Sequence, residues 1–473
     1  MPPMQIRRPL LTLLAASALL TTAGCQYTMA PSDLLAVPQT ENGNAELAQA
    51  IRVALPPRAK LTLPDQTSLA AVRKADVDGD GHKEAIVTYV TDLDVEQVMV
   101  MRSGTSGGRQ GWHKWFTLAE STGYGVDWLA VDDLDDDGRP EMVVGWNEYD
   151  EPQHRLFIYT IDADADLLQS PPVPLAELTY EQAKLGDMDG NGTAELVVIQ
   201  HEREQMTASL HLYRVSEGKV KDELAAPIDG TVDGYYNLAV GQIAAGRYGV
   251  IMDGGIGAHS SLTNVLAWTN GRLMRVYPPV TGREEEQWNA SSTFSGDGNG
   301  DGILDIETLV EAPGQPDDRS YAETLWVEER RQWDGDRTFD VVQRRYADYA
   351  QGYALRFPES WYGQVTVSRL EQKLETGGVI DGTAFEYYEA KTKRRAPMFW
   401  LYAVPLKQWD ALEQQWKTEG GAIEVLTKSA GMVYAVLQRE APKAWEDETR
   451  ERFEAMQLSA EELAKQFDLI PDH

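Results

Sequence analysis

Short apolar runs recur along the chain, and each is entered through an acidic turn. Ala85–Val90, Met142–Val144, Leu196–Ile199 and Ile306–Val310 directly follow segments of the form Asp-x-(Asp/Asn)-x-(Asp/Asn)-Gly-x-x-(Asp/Glu). These segments occupy residues 76–84, 133–141, 187–195 and 297–305. Their starts are 57, 54 and 110 residues apart, so the last interval is twice the others and a further unit is expected near 241. Val240–Gly246 followed by Val250–Met252 fits that place. Gly246 holds the loop-glycine position, while Gly241, Ile243, Ala245 and Gly249 replace the carboxylates. A unit that keeps its spacing and apolar strand while losing its acids defines an architecture rather than a ligand set.

Within the second unit Trp128–Val131, Met142–Trp146, Arg155–Tyr159 and Leu175–Leu178 read as four short strands separated by turn residues. A period of about 55 residues with four strands is the signature of propeller blades. Five blades are expected over 61–345 in a mainly β fold. Lys60–Leu63 is expected to complete the last blade and close the ring, which would remove exposed sheet edges.

After about residue 350 the period breaks. Strand-like runs at Gln364–Ser368, Ala384–Tyr388, Met398–Val404, Ala422–Leu426 and Met432–Leu437 alternate with helical patterns. Leu406–Lys417 places Trp409, Leu412 and Trp416 on one face, and Ser459-Ala-Glu-Glu462 forms a capping box. Residues 346–473 therefore read as a small α+β C-terminal domain; the helices disfavour the competing reading, two further eroded blades. Trp361, Trp400, Trp409 and Trp416 read as core rather than as an aromatic binding surface.

The N-terminus changes the picture of where the chain works. Arg7 and Arg8 precede an apolar stretch, Leu10–Leu20, that is short for a membrane span. Leu20-Thr21-Thr22-Ala23-Gly24 then leads into Cys25, the one cysteine of the chain. This resembles a bacterial lipobox, which implies a lipoprotein signal peptide over 1–24 and lipidation of Cys25; 25–60 is expected to be a tether and short N-terminal segment. The expected location is the outward-facing bacterial cell envelope, membrane-anchored through lipid, in either Gram type. Gln26 removes one inner-membrane retention signal, an Asp. A single cysteine leaves no disulfide, so staples outside the cytoplasm must come from elsewhere.

The formal charge of −32 argues against nucleic acid as a partner, because phosphate backbones are held by Lys and Arg clusters. The acids concentrate in the four loops, where like charges this close repel by about 1 kcal/mol or more per pair even with near-water screening. Asp and Asn at alternate positions project oxygens inward, and the glycine at position six lets the chain turn. Oxygen donors without His or Cys favour Ca²⁺. An EF-hand needs a bidentate Glu at position 12, where Val87, Val144, Val198 and Thr308 stand instead.

The pattern resembles the FG-GAP or VCBS repeats of integrin-like β-propellers. That resemblance implies about four Ca²⁺ sites. Its ligands would be Asp76, Asp78, Asp80 and Glu84 in the first loop, and Asp133, Asp135, Asp137 and Glu141 in the second. Asp187, Asp189, Asn191 and Glu195 would serve the third, and Asp297, Asn299, Asp301 and Asp305 the fourth. The family ends its loop in Asp, whereas three loops here end in Glu.

No catalytic constellation emerges. Gly104-Thr-Ser-Gly-Gly108 has no following helix, and Gln205 stands where a zinc-protease motif starting at His201 needs a second His. The expected function is a binding or scaffolding protein for a protein or glycan partner, not an enzyme. The alternative is a carbohydrate-active enzyme, polysaccharide lyase-like, on a calcium-containing propeller; a third is a purely mechanical envelope component.

Overall fold

The structure, a computed structural model, describes residues 42–64, 70–106, 108–119, 125–147, 154–279, 288–316, 319–320, 323–374, 379–418 and 423–470. The expected leader and Cys25 lie outside the described residues. Six antiparallel sheets follow one another along the chain. The first is built from Val72–Ala75, Glu84–Val90, Glu96–Ser106 and Arg109–Leu118. The second joins Gly125–Asp132, Glu141–Asn147, His154–Thr160 and Ala176–Tyr180. The third joins Gln182–Gly186, Glu195–Glu202, Thr207–Ser216 and Lys219–Ile228. The fourth, Gly234–Ala244, Arg247–Ile256, Ser260–Thr269 and Arg272–Tyr277, is the unit without carboxylates. Its first two strands meet at a tight turn where Gly246 takes φ +64°, a left-handed conformation suited to glycine.

The apolar runs are continuous rather than alternating because both faces of each sheet are covered. Alternate residues of a strand point to opposite faces. Ile86 packs toward the second sheet, whereas Ala85, Val87 and Tyr89 pack against helix α1 (Asn42–Ala54). Met142 and Val144 meet the first sheet and Val143 the third. Val197 and Ile199 meet the fourth sheet, whose Ile251 shares a core with Ile306 of the fifth. Each sheet thus stacks on its neighbour in sequence. The first strands of four successive sheets, through Arg73, Leu129, Lys184 and Asn237, line one polar channel of about 500 Å³. The Arg73 Nη1–H donates to the Leu129 carbonyl at 3.0 Å across it.

Three expectations are corrected. The boundary at 345/346 falls inside the strand Phe339–Asp348, and Tyr353–Arg356 forms the next strand of the fifth sheet (with Ile306–Glu311 and Trp326–Trp333). The chain returns at Phe467–Leu469 to add a last strand to that sheet. Beyond the five expected units lies a sixth sheet, Val365–Lys373, Val379–Glu389, Arg394–Pro405, Met432–Gln438 and Ile423–Ser429, and it shares a core with the fifth. Lys60–Leu61 does not complete the last sheet. It pairs with Val90 and Tyr89 of the first, because the chain leaves α1 on that side.

Among the described residues no core joins the sixth sheet to the first. Each outward face is covered by a helix: α1 on the first sheet, and α2 (Leu406–Thr418) on the sixth through Trp409, Leu412 and Trp416. Trp361 is also buried, and Trp400 is half-buried beneath the Arg439 guanidinium, 4.2 Å from its ring. Helices α3 (Asp447–Met456) and α4 (Ala460–Gln466) follow, and Ser459 and Glu462 form the expected capping box. No helix among the described residues is long and apolar enough to cross a membrane.

Helix α1 lay in the expected tether, yet Leu47 and Ile51, one turn apart, are buried against Tyr89 and Met99. Leu47→Ala is expected to lower stability by about 2 kcal/mol, the low end for a buried leucine since the helix is edged by solvent. Urea unfolding monitored by circular dichroism would read it, and an unchanged midpoint would mean that α1 does not cap the sheet.

Candidate metal centre

The four acidic loops adopt nearly one conformation, and the sequence supplies the reason. The first Asp of each loop accepts backbone N–H groups from the far side of the turn. Asp76 takes those of Gly79 and Gly81, both at 2.8 Å. Asp187 takes those of Gly190 at 2.6 Å and Gly192 at 3.0 Å, and Asp297 those of Gly300 at 2.7 Å and Gly302 at 2.9 Å. Asp133 takes those of Asp137 at 3.2 Å and Gly138 at 2.8 Å. The closing acid accepts the N–H of the loop's second residue: Val77 to Glu84, Leu134 to Glu141, Met188 to Glu195 and Gly298 to Asp305. Neighbouring loops also touch. A Cβ on Gly79 (φ +73°) would lie 2.3 Å from the Gly138 carbonyl oxygen, so only glycine fits there.

Three acids converge in each of the first three loops: Asp76, Asp78 and Glu84; Asp133, Asp135 and Glu141; Asp187, Asp189 and Glu195. In each set one oxygen per residue lies within 4.8 Å of the others. The remaining expected ligands, Asp80, Asp137 and Asn191, accept the N–H of the residue two places on: His82, Arg139 and Thr193 respectively, each at 2.7 Å. In the fourth loop Asp301 accepts the Ile303 N–H at 2.9 Å in the same way, and also amide donors from Asn299 at 3.0 Å and Gln332 at 2.7 Å.

Burial pushes the Glu84 and Glu141 carboxyls up to about 7, and the nearby aspartates add to it. Burial also raises Asp78, Asp135, Glu195 and Asp305. The hydrogen bond from Gln332 helps hold Asp301 below the usual range. Burial is the largest cause at each raised acid, and Arg102 beside Asp78 and Glu84 and Arg214 beside Glu195 partly offset it.

The residues that sequence reasoning missed are those facing the closing acids across the sheet. Strand register pairs Thr160 with Glu141, and carried one residue past the last recorded pair it brings Arg102 to Glu84, Arg214 to Glu195 and Gln332 to Asp305. Arg102 Nη2–H donates to Asp78 at 2.7 Å and Asp80 at 2.8 Å. Arg214 reaches Asp189 at 2.5 Å and Glu195 at 2.8 Å. Thr160 donates to Glu141 at 3.2 Å. In the second and fourth loops one oxygen each of Asp135 and Asp305 is sealed from solvent without a hydrogen-bond partner. Those two loops fit a hard divalent cation, with oxygen ligands, no arginine ion-paired to their acids among the described residues, and an unmet acceptor. A signal was available: in antiparallel pairing the residue facing the ninth loop position can be counted from the following turn.

No family model and no curated protein matches the chain. Among solved structures it resembles a rhamnogalacturonan lyase of Bacillus licheniformis at 13% identity and TM-score 0.34, covering 73% of this chain and 66% of that one. It also resembles an endo-arabinase of Bacteroides thetaiotaomicron (11%, TM-score 0.26, 61% and 98% covered). A third likeness is the β-propeller domain of the Trilobed protease from Pyrococcus furiosus (7%, TM-score 0.27, 70% and 89% covered). Likeness at this level carries no argument about activity. What stands on the chain's own geometry is a mainly β molecule of six stacked antiparallel sheets with four acidic loops at strand junctions.

Proposed function

We propose that the protein is a lipid-anchored, calcium-binding scaffold of the bacterial envelope, built on FG-GAP-type propeller blades, that holds a glycan rather than cleaving it. The observation that carries the binding reading is a cleft of about 730 Å³ where the fourth, fifth and sixth sheets meet. Tyr349, Glu328, Arg369, Asp348, Asp381 and His259 line it. That volume suits a ligand of a few sugar units, and an aromatic ring among polar groups is what a sugar face and its hydroxyls require. Tyr349 is 59% exposed, and its hydroxyl donates to Glu328 at 2.7 Å. Burial of the phenol oxygen and the Glu328 charge push the Tyr349 phenol above its ordinary value. It therefore stays protonated at neutral pH and acts as a donor, where abstraction of a sugar proton would need a base. Calcium in the loops would brace the sheet junctions, with Cys25 carrying the lipid.

The test uses the unlipidated Cys25→Ser chain on an array of bacterial and plant glycans, followed by calorimetry with any ligand retained. Tyr349→Ala is expected to weaken binding about tenfold, or 1.4 kcal/mol, without shifting the melting temperature. Absence of any retained glycan would end the glycan reading. Release of sugar products from a polysaccharide panel would replace it with the carbohydrate-active enzyme.

A further inference from the structure

Four loops share one backbone conformation, but the residue facing the closing acid differs, and that residue decides the charge inside the loop. We infer that Arg102 and Arg214 are built-in cations occupying the first and third loops, so that calcium is taken only by the second and fourth. This rests on the calcium reading above and restricts it.

In the first loop the guanidinium of Arg102 meets three expected ligands, at positions three, five and nine: Asp78 at 2.7 Å, Asp80 at 2.8 Å and Glu84 at 3.9 Å. It is fixed there from behind. Arg102 lies 4.5 Å from the Trp115 ring centre, and its other nitrogen donates to the Ala163 carbonyl at 3.3 Å. In the third loop Arg214 meets Asp189 and Glu195 and is anchored by Glu223 at 2.7 Å. A planar guanidinium with five donors in a fixed fork suits such carboxylate pairs, and its charge is permanent at any pH the fold survives. Calcium entering either loop would have to share oxygens with this charge or expel it from its anchors.

The second and fourth loops lack that occupant. Thr160 and Gln332 are neutral: Thr160 donates its hydroxyl to Glu141, and Gln332 its amide N–H to Asp301. Arg330 packs close to Gly298, but its charge is engaged by Glu307 at 2.6 Å. The second observation lies in the fourth loop. Asp305 is 0% exposed, and its Oδ1 has no hydrogen-bond partner. A fully buried carboxylate oxygen left unmet is costly unless something fills the place, and in an all-oxygen loop that something is a cation. In the second loop Asp135 is half-buried, and its Oδ1 is sealed from solvent without a partner while its carboxyl takes backbone hydrogen bonds from Asp137 and Glu217.

The experiment is calcium titration of the Cys25→Ser chain by calorimetry after chelation, with bound metal counted independently by elemental analysis. About two ions per chain are expected. Glu141→Gln combined with Asp305→Asn should abolish binding, while Arg102→Thr and Arg214→Thr should each add a site and Arg102→Lys should not. The double acid variant tests the inference even if the arginine variants fail to fold. About four ions in the wild type, or calcium retained by that folded variant, would overturn the inference and leave the calcium reading intact. No ions at all would overturn both.

Discussion

Trp361→Ala is expected to cost about 4 kcal/mol and to detach the sixth sheet from the fifth before the rest of the molecule unfolds. Trp361 is fully buried where those sheets share their core, meeting Phe357 edge-on at 5.4 Å and Phe399 at 5.9 Å. Two losses combine. Truncating an indole in a packed core removes its transfer energy and leaves a cavity, which costs about 3–5 kcal/mol for large aromatic side chains. The indole N–H also donates to the Met456 carbonyl at 2.8 Å, so α3 loses its tie to the sheet and a buried acceptor goes unmet. Trp361→Phe should recover most of the packing but not the hydrogen bond, losing about 1–2 kcal/mol. Urea unfolding with tryptophan fluorescence and circular dichroism checks both variants. A single transition shifted by less than about 1 kcal/mol in Trp361→Ala would show that the two sheets do not depend on this residue.

In chelator, the protein is expected to be more stable at pH 5.5 than at pH 8, the reverse of ordinary acid denaturation. Glu84 and Glu141 are raised from 4.5 to about 7, first by burial and then by neighbouring aspartates. A carboxyl with a raised folded value takes up its proton more readily in the folded state. Its stabilising contribution is therefore complete below the unfolded value near 4.5 and is lost as pH rises through about 7. Each of the two contributes on the order of 3 kcal/mol across that window, and Glu195 and Asp305 shift in the same direction. Calcium requires the deprotonated oxygens, so calcium bound in the second and fourth loops should remove the Glu141 and Asp305 share of the dependence and leave that of Glu84 and Glu195. Urea midpoints at the two pH values, with and without calcium, decide the matter. A higher midpoint at pH 8 in chelator would mean that water or rearrangement relieves these loops.

The blades nearest the acidic loops were legible because one strand type repeats. A closing acid followed by Ala85–Val90 or Leu196–Ile199 marks a strand with both faces covered, and the observed strands begin at those acids. Helix α2 was legible from the spacing of Trp409, Leu412 and Trp416. What sequence alone concealed was which surfaces meet. Leu47 and Ile51 sit one turn apart in a segment otherwise rich in polar residues, and nothing local says that they cover Ala85 and Val87. The sixth sheet carries no acidic loop, so its relation to the others appears only through the core that Phe385 and Phe399 share with Tyr346. The candidate site divided in the same way. All sixteen expected ligands fall in folded loops at strand junctions. Arg102 and Arg214 escaped notice because they follow the closing acid by eighteen and nineteen residues and arrive by strand pairing rather than by motif.

The helices at the two ends of the row have a mechanical consequence. A closed ring must break two interfaces to release one member, but a row releases its terminal member by breaking one. In a chain of units that touch only their neighbours, stability is a sum of unit and interface contributions, and loss starts at the weaker end. The two ends are not equal. Phe467–Leu469 stitches the C-terminus back into the fifth sheet, so the sixth sheet is bounded on both sides by strands of the same neighbour. Among the described residues the N-terminal end has α1 and the short pairing of Lys60–Leu61. A pull applied at the N-terminal end would peel the molecule sheet by sheet from the first sheet, with the cleft-bearing sheets the last to go.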